Sequence, residues 1–377
     1  MWRYHNPVAV TFGVGSLETL AARVAGRSYL LVTYPDTRFA ALAEQVSARL
    51  GPPVARVSDV APNPDLADLD RQTARVAQAR ATAEVVLAVG GGSVIDSAKV
   101  LAAAGGGEGA VEALLAGGEP PAGWRPLPLI AVPTTAGTGS EVTSWATVWD
   151  RAASTKRSLD HPRLYPEAAV IDPALMCAMP RALTISTGLD ALSHALESLW
   201  NRHINPISAM HAVAAARTIL EVLPALACAP DDLDLRRRMA QAALSAGLAF
   251  SGTRTAIAHA ISYPVTLHHG VPHGIACSFT LPMILHGLAD ADGLTGWALR
   301  EIFGPDLRAG AWRLAAFLEG LDVHLEPADY GIGATEWSEI LAAATAGDRG
   351  RNFIATAAAV QPLPPRPSDQ TPTVPNR

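Results

Sequence analysis

Through its first half the chain alternates short, unbroken apolar runs with longer alanine-rich amphipathic stretches. The runs at Tyr29–Thr33, residues 84–89 and residues 127–132 are rich in Val, Ile and Leu and lack a polar alternation. That is the pattern of strands covered on both faces, and such strands separated by helices predict an α/β, Rossmann-like parallel sheet. Past about Arg181 the strand-like runs fade, and long Ala/Leu/His/Arg segments such as residues 206–223 and 235–250 predict an all-α second half. The chain thus divides into an α/β domain over residues 1–180 and a helical domain over residues 181–360, joined near Met179-Pro180-Arg181. A cleft between two such domains is a usual ligand site. Residues 361–377 carry six prolines and no apolar periodicity, and read as a disordered tail.

Composition narrows the function classes. The chain's 377 residues are enough for two sizeable cores, and a net charge of −6 leaves no basic surplus to attract nucleic acid or an anionic membrane. The local cluster Arg236-Arg237-Arg238 reads as a solvated helix face. Cys177, Cys228 and Cys277 are scattered and form no C-x-x-C pair, which fits a reducing cytoplasm better than a disulfide framework or zinc knuckle. No secretion signal opens the chain and no segment reads as a membrane span. A soluble cytoplasmic protein is expected, with a homodimer left open.

Two polar loops follow strands directly. The run at residues 85–89 feeds Gly90-Gly91-Gly92-Ser93-Val94-Ile95-Asp96, a glycine turn opening a helix. Backbone N–H groups there can approach a pyrophosphate, whose charge the helix dipole favours. The turn lacks the G-x-G-x-x-G pattern, and by itself a tight strand-to-helix turn explains it equally well. The second loop, Pro133-Thr134-Thr135-Ala136-Gly137-Thr138-Gly139-Ser140-Glu141, again leaves a strand end. Together the two describe a dinucleotide crevice.

Four further residues suggest a metal cage. Asp190 and His194 stand at i and i+4, on one face of a helix. His259 and His273 are separated by Pro264, Gly270 and Pro272, which argues against one continuous helix; His259 near a helix end and His273 just after a turn would bring both rings to one spot. Each alone reads as an ordinary core polar residue. As a set, one carboxylate and three imidazoles without a thiolate suit Fe(II), and also Zn(II), Mn(II) or Ni(II).

Residues 90–99, 133–143, 186–197 and 258–274 resemble, in order and spacing, the four signature blocks of the iron-dependent (group III) alcohol dehydrogenase family. The resemblance spans roughly residues 5–355. It implies an N-terminal dinucleotide-binding domain, a helical C-terminal domain and a metal in the cleft held by Asp190, His194, His259 and His273. By the same match Gly91, Gly92, Ser93 and Asp96 would line the pyrophosphate and nicotinamide, and Thr134, Thr135, Thr138 and Lys156 would complete a site for NADPH or NADH. The chain departs from the family at Val94, where many members have Pro, and at Tyr263, where many have a His beside the nicotinamide. Tyr263 then becomes a candidate catalytic hydroxyl, with His268 as a second catalytic candidate. Tyr34 stands where NAD-preferring members often have Asp; its lack of charge, with Arg38 nearby, leans the cofactor towards NADPH unless Asp36 substitutes.

Within the family the chain looks most similar to the phosphonoacetaldehyde reductase branch, on the opening His5-Asn6-Pro7-Val8, on Lys156-Arg157-Ser158-Leu159-Asp160-His161-Pro162 and on Ile261-Ser262-Tyr263-Pro264. That resemblance implies reduction of phosphonoacetaldehyde to 2-hydroxyethylphosphonate, a small phosphonate-bearing aldehyde being the partner. A phosphonate dianion needs cations or N–H donors; Arg202, Asn205, Arg254 and His268 are the candidates. The competing readings are a reductase of uncharged or hydroxylated short aldehydes such as lactaldehyde or butyraldehyde, and a sugar-phosphate cyclase of the dehydroquinate-synthase type. The cyclase is a lyase with a different ligand set, which the one Asp and three His speak against.

Overall fold

The computed structural model describes residues 1–106, 109–117, 123–153 and 155–365. Six strands form one sheet: β1 (Ala9–Phe12), β2 (Tyr29–Thr33), β3 (Ala55–Val57), β4 (Val85–Gly90), β5 (Leu129–Pro133) and β8 (Ala168–Ile171). Their order is β1-β8-β5-β4-β2-β3 and every pairing is parallel. The apolar runs stay unbroken because both faces are covered. Leu31, Leu87 and Ile130 pack on one side with Phe39, Leu42 and Val46 of the Thr37–Leu50 helix. Leu30, Val86 and Ala131 point the other way, onto Val94, Ile95 and Ala98 of the Gly92–Ala103 helix.

From β2 the chain steps outward to β3 and then returns to the other side of β2 as β4, so the direction of winding reverses between β2 and β4. A ligand crevice is expected outside the strand ends at such a switch point. Tyr34 follows β2 there and Gly91 follows β4. Strands β6 (Trp145–Asp150) and β7 (Thr155–Asp160) form a separate antiparallel hairpin packed against the Gly92–Ala103 helix.

Beyond Ile171 the described residues hold no further strand, and from Arg181 the chain is helical. The Arg181–Leu199, Pro206–Cys228 and Leu233–Thr253 helices pack on one another as the centre of the second core. Pro206–Cys228 corrects the expectation that no segment reaches a membrane span. By length and composition it is the one helix among the described residues able to cross a bilayer. Here its Ala209, Ala212, Ala216, Ile219 and Leu223 are buried against neighbouring helices.

A second correction concerns Arg236, expected on a solvated face. Its side chain is buried and donates to the carbonyls of Pro230 and Met179 and to Thr184 Oγ1. It therefore ties the Leu233–Thr253 helix to the segment joining the two halves. Of the proline-rich stretch, Leu363 packs against the helical core and residues 366–377 lie outside the described residues.

Candidate functional site

Asp190 and His194 share one face of the Arg181–Leu199 helix, with His194 Nε2 3.8 Å from Asp190 Oδ1. His259 sits in the first turn of the Ile257–His269 helix, its Nε2 3.4 Å from the same oxygen. Pro264 is accommodated inside this helix, so the break expected there falls instead at Gly270, whose φ is 65°. His273 then opens the His273–Ser278 helix, with Nε2 3.9 Å from Asp190 Oδ1. Gly274 allows this approach: a Cβ there would stand 1.8 Å from Ser186 O.

One residue outside the four organises them. Glu197 is fully buried and accepts from the backbone N–H groups of Ala256, Ala258 and His259, closing off a helix start that has no side-chain cap of its own. Its Oε2 also lies 2.6 Å from His259 Nδ1. Burial would raise the Glu197 carboxyl, but His259 and these hydrogen bonds outweigh it and keep the carboxylate charged. A carboxylate there takes the Nδ1 proton in its hydrogen bond, so Nε2, facing Asp190, is the nitrogen on offer to a metal. Phe250 stacks on His194 with ring centroids 4.0 Å apart and planes nearly parallel, and fixes that ring.

The donor set fits a metal ion. Asp190 Oδ1 and His259 Nε2 are buried and have no hydrogen-bond partner among the described residues, a costly arrangement unless a cation satisfies both. Burial drives His194 down to about 4 against the pull of Asp190, leaving it a neutral ligand. At Asp190 burial alone would raise the acid, and the surrounding imidazoles hold it well below the usual carboxylate range. The thiolate-free cage of the sequence reading needs one amendment. Cys277 Sγ lies 3.6 Å from His273 Nε2, and Asp190, His259, His273 and Cys277 each place a ligand atom within 4.8 Å of the others. Burial pushes the Cys277 thiol up, so it stands beside the imidazoles as S–H.

Two cavities meet at this cage. The outer groove, about 710 Å³, runs past Tyr34, Arg38, Gly91, Gly92, Ser93, Thr134, Thr135 and Thr138 to Asp190 and His273. Its floor leaves no room for side chains, since a Cβ on Gly92 would lie 2.5 Å from Thr138 Cγ2. Asp36 borders the groove but caps the Thr37–Leu50 helix through Phe39 N, and Arg38 donates to Leu175 O. The inner cavity, about 120 Å³, holds Asp96, Lys156, Tyr263, His194, His259 and Arg349. Asp190, His273, Gly92, Ser93 and Thr138 border both.

The structure regroups several candidates. Lys156 belongs to the inner cavity rather than to the threonine loop, with Nζ 3.9 Å from the Tyr263 ring centroid. Asp96 accepts from Ser140 Oγ and Thr147 N, so it braces the hairpin behind the cavity. His268 is exposed on the last turn of its helix and borders neither cavity. Arg202 donates to Phe353 O, Asn205 is the capping-box residue of the Pro206–Cys228 helix, and Arg254 pairs with Asp160; none of the three borders the cavities. Tyr263 does, and its ring lies nearly parallel to His273. Burial raises its phenol, but Lys156 and Arg349 outweigh that and bring it below its ordinary 10.0.

Two site residues escape a reading of the sequence. Glu197 lies at i+7 from Asp190 and i+3 from His194, a same-face spacing that could have revealed it. Arg349, in Gly347-Asp348-Arg349-Gly350-Arg351, carries no local signal and reaches the cavity only through the tertiary fold.

A parallel nucleotide-type sheet, a helical domain and a buried Asp/His cage at their junction define a two-domain metal-binding oxidoreductase architecture. Residues 7–173 match the family model "Iron-containing alcohol dehydrogenase" and residues 184–356 match "Fe-containing alcohol dehydrogenase family, C-terminal". The chain belongs to the iron-containing alcohol dehydrogenase family. It is 32% identical over 292 residues to the NAD-dependent methanol dehydrogenase of Bacillus methanolicus, 75% of each chain. It is 37% identical over 243 residues to the phosphonoacetaldehyde reductase of Streptomyces viridochromogenes, 62% of this chain and 59% of that one. The solved structure of sulfoacetaldehyde reductase from Bifidobacterium kashiwanohense in complex with NAD+ superposes with a TM-score of 0.87, at 28% identity, over 95% of this chain and 96% of that one.

Proposed function

We propose that this chain reduces phosphonoacetaldehyde to 2-hydroxyethylphosphonate with NADPH or NADH, using a divalent metal held by Asp190, His194, His259 and His273. The observation that carries the reaction class is that Asp190 and His273 border both the glycine-floored groove and the inner cavity. A dinucleotide in the first and a small substrate in the second meet at the cage. The substrate is supported by the similarity to phosphonoacetaldehyde and sulfoacetaldehyde reductases, whose substrates are two-carbon aldehydes bearing an anion.

In the reduction, hydride and a proton add across the carbonyl and NAD(P)H leaves as NAD(P)+. Bound Fe(II) would supply Lewis acidity towards the carbonyl oxygen, and the nicotinamide the hydride. The chain's residues set the geometry. Glu197 orients His259, Phe250 fixes His194, and Gly274 seats His273 against the Arg181–Leu199 helix. Gly91, Gly92, Ser93 and the Thr134, Thr135 and Thr138 loop receive the dinucleotide phosphates on backbone N–H groups and hydroxyls. Trp145, Trp149 and Phe250 wall the inner cavity and limit water there. Tyr263, in the same cavity, is the hydroxyl placed to pass the proton.

The test is a panel of aldehydes with the Fe(II)-loaded enzyme and each dinucleotide. The reading expects kcat/KM for phosphonoacetaldehyde to exceed that for propanal by about 100-fold, the value of one or two charge-assisted hydrogen bonds. Equal turnover of the two would replace it with a reductase of short uncharged aldehydes.

A further inference from the structure

We infer that Lys156 and Arg349 form a built subsite for the dianionic head group of the substrate, with the Tyr263 ring as their common platform. The inference rests on the phosphonate reading and deepens it by naming the residues that read the charge. They are not the arginines nearest the cage in sequence, but one residue from each domain.

Lys156 comes from β7 of the hairpin and Arg349 from the Asp348–Asn352 helix. Lys156 Nζ lies 3.9 Å and Arg349 Cζ 4.8 Å from the Tyr263 ring centroid. Two cations over one ring repel each other, and a ring quadrupole offsets only part of that cost. Neither is ion-paired among the described residues. Asp96 borders the same cavity and attracts Lys156 across it, but its oxygens accept from Ser140 Oγ and Thr147 N and it forms no ion pair with Lys156 or Arg349; Asp160 pairs with Arg254 and Glu112 with Arg157. Arg349 donates only to neutral hydroxyls, from Nε to Thr255 Oγ1 and from Nη2 to Ser158 Oγ, both at 3.2 Å. These bonds orient the guanidinium without compensating its charge, and leave Nη1 free among the described residues.

Two partly buried positive charges without an ion-pair contact among the described residues, in a cavity that also contains the cage, suit an anion of charge two. The chemistry fits a phosphonate: a planar guanidinium for two oxygens, an ammonium for the third, and the Thr255 hydroxyl beside them. A cavity of about 120 Å³ limits the remainder of the molecule to a short chain. Tyr263 also lies nearly parallel to His273, with ring centroids 6.2 Å apart, and Lys156, Arg349 and His273 line the same small cavity, so the charged end and the carbonyl of a short molecule are both accommodated there. A sulfonate satisfies the same donors with one charge fewer, and a neutral aldehyde leaves both cations unpaired.

The test combines Arg349→Gln, Lys156→Gln and Arg349→Lys with two readouts on metal-loaded enzyme. The first is the ratio of kcat/KM for phosphonoacetaldehyde to that for propanal. Each Gln variant is expected to lower this ratio about 100-fold through KM for the phosphonate, the sulfonate ratio falling about 10-fold, and Arg349→Lys is expected to recover part of the loss. The second is calorimetric binding of ethylphosphonate, which cannot be reduced, to the enzyme–NADP+ complex; it should be present in the parent and lost in both Gln variants. Matched metal content and melting temperature show that the variants fold. Ratios unchanged within threefold, or ethylphosphonate binding that survives both substitutions, overturn the subsite. Ethylphosphonate binding that depends on both cations upholds it even if phosphonoacetaldehyde is not turned over, an outcome that would sink the substrate reading alone. No ethylphosphonate binding by the parent overturns the subsite directly.

Discussion

Glu197 Oε2 lies 2.6 Å from His259 Nδ1, and this contact decides which imidazole nitrogen faces Asp190. Glu197→Gln keeps a carbonyl oxygen for the Ala258 and His259 N–H groups but places an amide donor opposite Nδ1 and the Ala256 N–H. The ring is then driven to carry its proton on Nε2, towards the cage. Metal affinity should fall about 10- to 100-fold, measured by chelator competition, with the far-ultraviolet dichroism unchanged. Unaltered affinity would mean that Glu197 only closes the helix start.

Gly274 joins the His273–Ser278 helix to the Arg181–Leu199 helix. A methyl group there would stand 1.8 Å from Ser186 O, backbone that cannot give way without moving a helix. Gly274→Ala is expected to destabilise the protein by about 3 kcal/mol, the upper part of the overpacking range, and to release the metal because His273 moves with its helix. Gly333→Ala, with nothing within 4 Å of the added carbon, is the control. Calorimetry with metal analysis reads both.

Buried Glu141 is pushed up from 4.5 to about 7 by burial, against the pull of Lys99. The folded state then holds a proton that the unfolded chain has lost between those values. The stabilisation from the protonated form is complete below about 4.5 and is lost as pH rises through about 7. Glu141→Gln should therefore flatten the pH dependence of unfolding over this window and leave the variant more stable above it, by up to about 3 kcal/mol. Parallel denaturation curves at pH 5 and 8 check the sign, and an unchanged slope would exclude Glu141 as its source.

Arg38 borders the groove at the end of β2, while the Asp36 carboxylate is occupied as a helix cap. With the uncharged Tyr34 beside it, a bound 2′-phosphate would meet a cation, provided Arg38 turns from Leu175 O. Arg38→Ala should raise KM for NADPH about tenfold and leave that for NADH within about twofold, as loss of one charge-assisted contact implies. Equal effects on both dinucleotides would remove the preference.

What could be read from the chain followed how local each signal is. The parallel sheet was legible because strands covered on both faces must stay apolar throughout, as in Tyr29–Thr33. The glycine turn and the Asp190/His194 pair were legible because strand-to-helix and i,i+4 geometry are set within a few residues. Arg236 was misread because its neighbours Arg237 and Arg238 pair with surface acids while its own side chain turns inward to the carbonyls of Pro230 and Met179. Lys156 and Arg349 meet at Tyr263 only through the packing of β7 and the Asp348–Asn352 helix around it, which no spacing rule encodes. Arg202 and Arg254 carried the right charge for a substrate site, but the tertiary fold engages them with Phe353 O and Asp160, far away in the chain.

The Asp190, His194, His259 and His273 cage is expected to hold the metal on which aldehyde reduction depends. The most direct measurement is anaerobic Fe(II) reconstitution of the parent and of His273→Ala, followed by metal quantification, dinucleotide binding and NADPH or NADH oxidation with phosphonoacetaldehyde. One retained metal and aldehyde-dependent oxidation are expected in the parent, with both lost and dinucleotide binding largely intact in the variant. Full activity in demonstrably metal-free protein would contradict that expectation.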